Sequence, residues 1–138
     1  MQITQISVFL ENNAGRLAEV TRLLARGGIN IRAISIADTA DFGILRLIVD
    51  NDEEAQRILT AAGFTTRQTS VAAVEIDDTP GSLARVMEVF QESNVNIEYL
   101  YASLEGKTGK AVVIFKLENF EKGLKIIEDH GFAMIDRF

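Results

Sequence analysis

The feature that most constrains this chain is that it is written twice. Slid along itself by 66 residues, it sets Gly15 on Gly81, Leu17 on Leu83, Ala18 on Ala84, Val20 on Val86, Asn30 on Asn96 and Ile31 on Ile97. Gly43 falls on Gly109, and Gly63-Phe64 meets Gly131-Phe132 after a slip of two residues. Self-similarity at a fixed spacing marks one structural unit used repeatedly. The boundaries read from it are 1–69 and 70–138.

Each unit opens on an alternating segment, Ile6, Val8 and Leu10 or Ala72, Val74 and Ile76, the period of a half-buried strand. A helix follows. Leu17, Val20 and Leu24 mark its inner face in the first copy, and Leu83, Val86, Met87 and Phe90 in the second. Gly27-Gly28 and Ser93-Asn94 end these helices. Two strand-like runs come next, 29–37 with 44–49 and 95–104 with 111–117, joined by turns at Asp41 to Gly43 and Gly106 to Gly109. A second helix presents Ala55, Ile58, Leu59 and Ala62, or Phe120, Leu124 and Ile127, before a last short strand after Gly63 or Gly131.

The order is βαββαβ, twice. With right-handed crossovers it gives an α+β fold of two tandem ferredoxin-like units, each a four-stranded antiparallel sheet with both helices on one face. Units under 70 residues bury little core alone, so the sheets are expected to pair side by side. No Pro or Gly interrupts Phe64 to Ile76, so the last strand of the first copy runs nearly straight into the first strand of the second.

Composition removes several function classes. A net charge of −6 and a pI near 4.8 oppose binding to nucleic acid, which relies on cationic patches. The absence of cysteine excludes disulfides, thiolate metal sites and thiol nucleophiles, and one histidine leaves no histidine-rich zinc site. No basic segment precedes an apolar run at the start, and no apolar stretch is long enough to cross a bilayer. A cytoplasmic protein without membrane association is the expectation.

The candidate site is the turn from first strand to first helix, Asn12-Asn13-Ala14-Gly15-Arg16-Leu17 and Asp78-Thr79-Pro80-Gly81-Ser82-Leu83. The helix start offers unpaired N–H groups and a positive dipole end, suited to a carboxylate. Glycine inside a helix costs up to about 1 kcal/mol against alanine, so its presence in both copies points to close approach of a backbone or a ligand. The plainer reading is that Asn13 and Thr79 cap, Pro80 fills the first helical position and the glycines allow tight packing. The repeated Asn30-Ile31 and Asn96-Ile97 also read two ways. Asparagine suits a left-handed turn entering the second strand, and its amide can orient a ligand's amino group. Tyr99 and Tyr101, at alternate positions of that strand, either line an apolar pocket or pack against a partner sheet.

Asp78-Thr79-Pro80-Gly81-Ser82-Leu83-Ala84 followed by Asn94-Val95-Asn96-Ile97 resembles the hallmark of ACT domains, amino-acid-sensing regulatory modules. The first copy resembles it through Asn13-Ala14-Gly15-Arg16-Leu17-Ala18 and Gly28-Ile29-Asn30-Ile31, with Ala14 where the family usually has proline. The resemblance covers essentially the whole chain. It implies a ligand at the interface of adjacent domains, where the loop before one helix meets the second strand of a neighbour. On that analogy the candidates are Asn12, Asn13, Gly15, Arg16, Leu17, Asn30 and Ile31, with Asp78, Thr79, Gly81, Ser82, Leu83, Asn96 and Ile97 as counterparts. Ala14 keeps an N–H that Pro80 lacks, and Arg16 stands where the second copy has Ser82, so the first site looks better suited to a carboxylate.

No nucleophile with its base and no matched acid–base pair is found, so no enzyme is expected. His130 beside Gly131 reads as an exposed helix-terminal residue. The acidic runs 50–54 and 75–78 read as carboxylates entering helix starts, and neither a metal nor a cofactor is expected. The aromatic platform of an RNA-binding domain, the Cys-x-x-Cys loop of a metallochaperone and the glycine spacing of phosphate cradles are all missing. Two functions remain. One is a small-molecule sensor, most simply for an amino acid, that acts as a homodimer or on a metabolic enzyme. The other is a ligand-independent assembly module. The third strand is apolar on both faces, with Ile44 and Ile48 opposite Leu45, Leu47 and Val49, and a twofold dimer would cover the helix-free side.

Overall fold

The alternation at Ile6, Val8 and Leu10 becomes β1 (Ile3–Glu11), and the amphipathic stretch after it becomes α1 (Arg16–Arg26). The hairpin is β2 (Ile31–Asp38) with β3 (Phe42–Val49), followed by α2 (Asp52–Ala61). A single strand, β4 (Thr65–Asp77), carries the chain out of the first copy and into the second. There α3 (Ser82–Glu92), β5 (Ile97–Ala102), β6 (Lys110–Leu117), α4 (Phe120–Asp129) and β7 (Ala133–Ile135) repeat the order. This computed structural model describes residues 3–11, 13–38, 41–104, 107–136 and 138. Contacts group Thr4–Thr69 as one unit and Ser70–Phe138, together with Ile3, as the other.

Within the first unit the strands lie in the order β2-β3-β1-β4, and within the second β7-β4-β6-β5, the ferredoxin-like arrangement in both. The first core joins Ile6, Val8 and Leu10 to Leu45 and Leu47 beneath Val20 and Leu24 of α1 and Ala55 and Leu59 of α2. The second joins Val74, Val113, Phe115 and Leu117 to Val86, Phe90 and Ile127. Phe90 meets Phe115 edge to face at 5.4 Å. Each such residue, fully buried, stabilises by about 1.5–3 kcal/mol.

All four helices end alike. A left-handed residue, Gly28, Gly63, Asn94 or Gly131, follows the C-cap, and the next N–H reaches back five residues: Ile29 to Leu24, Phe64 to Leu59, Val95 to Phe90, Phe132 to Ile127. These are Schellman closures, in which the apolar residue after the turn lands against the last buried residue of the helix. Two expectations need correction here. The left-handed asparagine is Asn94, at φ +55°, whereas Asn30 and Asn96 follow the turn and are not in that conformation. The two-residue slip lies in the hairpin turn, before the third strand. Leu10 pairs with Gly43 and Ile76 with Ala111, so Gly43 corresponds to Ala111. Gly109 instead sits in the longer second turn at φ +79°.

A bulge at the start of each second strand fixes which side chains face which way. Ile34 and Ile36 stand opposite Leu47 and Leu45 on the helix side, and Leu100 and Ala102 opposite Phe115 and Val113. Tyr99 and Tyr101, opposite Lys116 and Ile114, are therefore on the helix-free side. That side is also buried: Gln5, Ser7, Ala33 and Ile48 in the first unit, Ala73, Val112 and Ile114 in the second. Among the described residues, no helix is long and apolar enough to cross a membrane.

Candidate functional site

The loop between β1 and α1 is a tight turn. The Arg16 N–H donates to the Asn13 carbonyl at 3.3 Å, and the Ser82 N–H to Thr79 at 3.3 Å. The third residue of each turn is a left-handed glycine, Gly15 at φ +87°, ψ −11° and Gly81 at φ +92°, ψ −13°. These are the third-position angles of a type II turn, which takes proline in second place, where Pro80 stands, and glycine in third. The capping expectation is corrected accordingly. The N-cap of each helix is the glycine, with no side-chain cap bond, and Pro80 precedes the helix. The Asn13 amide donates to Glu11 at 3.1 Å, and the Thr79 and Ser82 hydroxyls share a bond of 2.8 Å. Nor do the glycines mark a close approach, since a Cβ on either would meet nothing within 4 Å. Positive φ is the reason for glycine, and the space above it is open.

The second helices do use side-chain caps. Asn51 accepts from the Glu54 N–H at 3.2 Å and Asn119 from Lys122 at 3.1 Å. Asp52, Glu53 and Glu54 occupy the first turn of α2, where carboxylates favour the dipole. The run at 75–78 differs: Glu75 to Asp77 belong to β4, and the first turn of α3 holds no acidic residue. Arg57, hydrogen bonded to Glu54, holds that carboxyl below the ordinary value.

The candidate residues do not all converge within a unit. The Gly15 turn adjoins Glu11, which stands opposite Phe42 at the start of β3. Asn30 lies past the other end, its N–H donating to Asp50 Oδ1 at 3.0 Å. The strand between them spans about 25 Å at roughly 3.3 Å per residue. The second copy is built likewise, Asp78 bonding Gly109 at one end and Asn96 bonding Glu118 at the other. Asn12 lies outside the described residues.

What does converge in the first unit is a pocket of about 290 Å³ lined by Leu10, Glu11, Asn13, Arg16, Leu17, Ile36 and Gly43. Its apolar wall is unusually open, with Leu17 40% and Ile36 51% exposed. Arg16 is fixed from behind: its guanidinium lies 4.6 Å from the Phe64 ring centroid and Nη1 bonds Glu19 at 2.9 Å. Its Nε is buried without a hydrogen-bond partner among the described residues. A Cβ on Gly43 would touch Ile36 Cδ1 at 3.4 Å, so glycine leaves this wall its room.

The second unit spends the same positions differently. Asp77, the counterpart of Glu11, is paired with Lys110, whose ammonium pKa is raised by that bond and by the charges of Asp77 and Glu75. Ser82 lines a cleft of about 210 Å³ with Glu75, Asp77, Arg85, Lys110 and Phe132, on the β7 side. Arg85 lies 5.4 Å from the Phe132 ring centroid, the packing role that Arg16 fills from the first helical position. Tyr99 and Tyr101 face the helix-free side of β5 and do not line this cleft. Leu10, Glu11, Ile36 and Gly43 were missed by the sequence reading. His130 is the C-cap of α4, its Nδ1 at 2.9 Å from the Ile126 carbonyl oxygen and its ring stacked on Phe132. Among the described residues no three acidic or histidine side chains gather to hold a metal ion.

A family model described as an ACT domain pair matches residues 1–137. Among solved structures, protein BT0572 from Bacteroides thetaiotaomicron is 36% identical with a TM-score of 0.92, covering 98% of this chain and 92% of that one. The ligand-free regulatory subunit of aspartate kinase from Thermus thermophilus is 20% identical at a TM-score of 0.65, covering 93% and 92%. Its counterpart from Thermus flavus is 20% identical at 0.62, covering 91% and 90%. At that identity the two aspartate kinase subunits speak to the fold. No curated protein matches the chain significantly.

Proposed function

From the premise that the chain belongs to the family of ACT domain pairs, we propose that it is a non-catalytic regulatory protein that binds an amino acid at the turn before the first helix of an ACT unit. The observation that carries the reading is the first-unit pocket, where Glu11, Asn13 and Arg16 meet an open wall of Leu10, Leu17 and Ile36. Left-handed Gly15 turns the chain so that the backbone beside this pocket carries no side chain, and the first-turn N–H groups of α1 lack a side-chain cap. Those are the fittings for a small zwitterion.

The signal passes by association. An effector changes the affinity of a second chain or of a metabolic enzyme, and that partner changes the affinity for the effector by the same factor. Regulatory subunits of aspartate kinase share the fold, and the proposed partner is likewise a metabolic enzyme, met in the cytoplasm. The test is a thermal-shift screen of the purified chain against the twenty amino acids at millimolar concentration. A ligand at 100 times its Kd stabilises by about 2.7 kcal/mol, several degrees for a chain of this size. A hit that Ile36→Asp removes supports the reading. Silence across the panel from a stable oligomer would instead establish the ligand-independent assembly module.

A further inference from the structure

The proposed function leaves open which amino acid binds and whether both copies bind it. Resting on that reading, we propose that each chain takes one neutral aliphatic amino acid, and takes it in the first unit alone. Glu11 and Arg16 are the two charged residues lining the first-unit pocket, and they are of opposite sign. Glu11 is bonded to the uncharged Asn13 amide, which orients the carboxylate without neutralising it. Arg16 gives Nη1 to Glu19, and a guanidinium has five N–H donors in all. An α-ammonium and an α-carboxylate match this pair.

The rest of the lining is Leu10, Leu17, Ile36 and Gly43, with the Asn13 amide. A charged ligand side chain would lie against these apolar residues unpaired, which is costly. An aliphatic one removes the exposed surfaces of Leu17 and Ile36 from water. A volume of about 290 Å³ is at the small end of ligand pockets, which run from roughly 300 to 1,000 Å³ for larger molecules.

The second copy differs at several of these positions. The strand registers carry Leu10, Gly43 and Ile36 onto Ile76, Ala111 and Ala102. Ile76 and Leu83 keep the places of Leu10 and Leu17, but Ala102 stands where Ile36 supplied the most exposed part of the wall. Ser82 replaces Arg16, so the cation is gone from that position. Asp77 replaces Glu11, and its carboxylate is bonded to Lys110, which stands where the first unit has Phe42.

Isothermal titration of the full chain decides the matter, with L-leucine, L-isoleucine and L-valine set against L-aspartate and L-lysine. The expected result is one aliphatic ligand per chain and at least tenfold weaker binding of both charged ones. Ile36→Asp, a change at an exposed position, weakens L-leucine at least tenfold. Lys110→Ala changes neither affinity nor stoichiometry. The 2-oxo acid with the leucine side chain, which lacks the ammonium, binds more weakly than L-leucine to the native chain, and Glu11→Gln closes that gap. Binding of L-aspartate or L-lysine in place of the aliphatic three would overturn this inference while leaving amino-acid binding intact. Two leucines per chain, or an unaffected Ile36→Asp, would overturn it as well. Failure of all twenty amino acids would remove the underlying reading too.

Discussion

Gly81→Ala isolates the physical role of the turn glycines. Gly81 sits at φ +92° and a Cβ there meets nothing within 4 Å, so the substitution adds no clash. What it adds is the left-handed penalty of an L-residue, about 1–2 kcal/mol. For a chain near this size each kcal/mol moves Tm by about 2–4 °C, so the fall should be about 2–8 °C. Gly15→Ala should behave alike, because Gly15 has φ +87° and the same open surroundings. Asparagine tolerates left-handed angles, so Gly81→Asn should cost distinctly less than Gly81→Ala. Gly27 supplies the contrast. Its φ of −81° suits any residue, but a Cβ would fall 2.3 Å from Ile58 Cδ1. The cost of Gly27→Ala should therefore be relieved by Ile58→Val, which removes that atom, whereas no trimming of a neighbour rescues Gly81→Ala. Urea unfolding followed by circular dichroism measures all of these. A neutral Gly81→Ala, or a Gly81→Asn as damaging as the alanine, would refute the backbone explanation.

Three further outcomes are expected. Asn51→Ala and Asn119→Ala each remove a side-chain cap and should cost about 1 kcal/mol, additively because they lie on different helices in different units, as read by denaturant midpoints of the single and double variants. Gly123→Ala would gain helix propensity, yet its Cβ would stand 2.3 Å from Leu117 Cδ1, so a net loss of about 1–3 kcal/mol is expected, recovered in part by Leu117→Val. Because the folded pKa of Glu54 is depressed, its pairing with Arg57 contributes above the ordinary carboxylate range and is lost as pH falls through the folded value; an NMR titration should show the Glu54 midpoint rising in Arg57→Gln.

The helices and strands were legible because their signals are local and doubled. Leu17, Val20 and Leu24, or Leu83, Val86, Met87 and Phe90, repeat spacings of three and four that fit a helix and not a strand, and the second copy checks the first. Caps were legible less evenly. Asparagine at position 51 or 119 caps by its own side chain, but the turns at 13–16 and 79–82 use backbone conformation, and a glycine at φ near +90° looks in sequence like a glycine kept for space. The two-residue slip was misplaced because Gly43 and Gly109 match as letters, although one is in a strand and the other in a turn. The wall of the pocket was missed for another reason. Ile36 continues the inward row of Ile34, and nothing local says that α1 begins too late to cover it; that follows from where the turn places Arg16 and Leu17.

The two copies also show why a repeat reveals fold more readily than function. Both units place a guanidinium over the aromatic residue after the second helix, yet Arg16 does it from the first position of α1 and Arg85 from the fourth position of α3. Either position brings a guanidinium to the ring, at 4.6 Å in the first unit and 5.4 Å in the second. The consequence for the pocket is unequal. Arginine at the first helical position lies at the mouth of the turn, with Glu19 and Phe64 fixing it from behind, and moving that duty to position 85 leaves a serine hydroxyl at the mouth. In the second unit the Asp77 carboxylate is paired within the chain, with Lys110, beside a cleft that Arg85 also lines. Serine at position 82, lysine at 110 and alanine at 102 are the differences that separate the two copies here. On the proposal of one site per chain, building the first-unit constellation into the second takes arginine at 82, phenylalanine at 110 and isoleucine at 102 together, because each supplies a different part of it: the cation, an unpaired carboxylate at Asp77 and the wall.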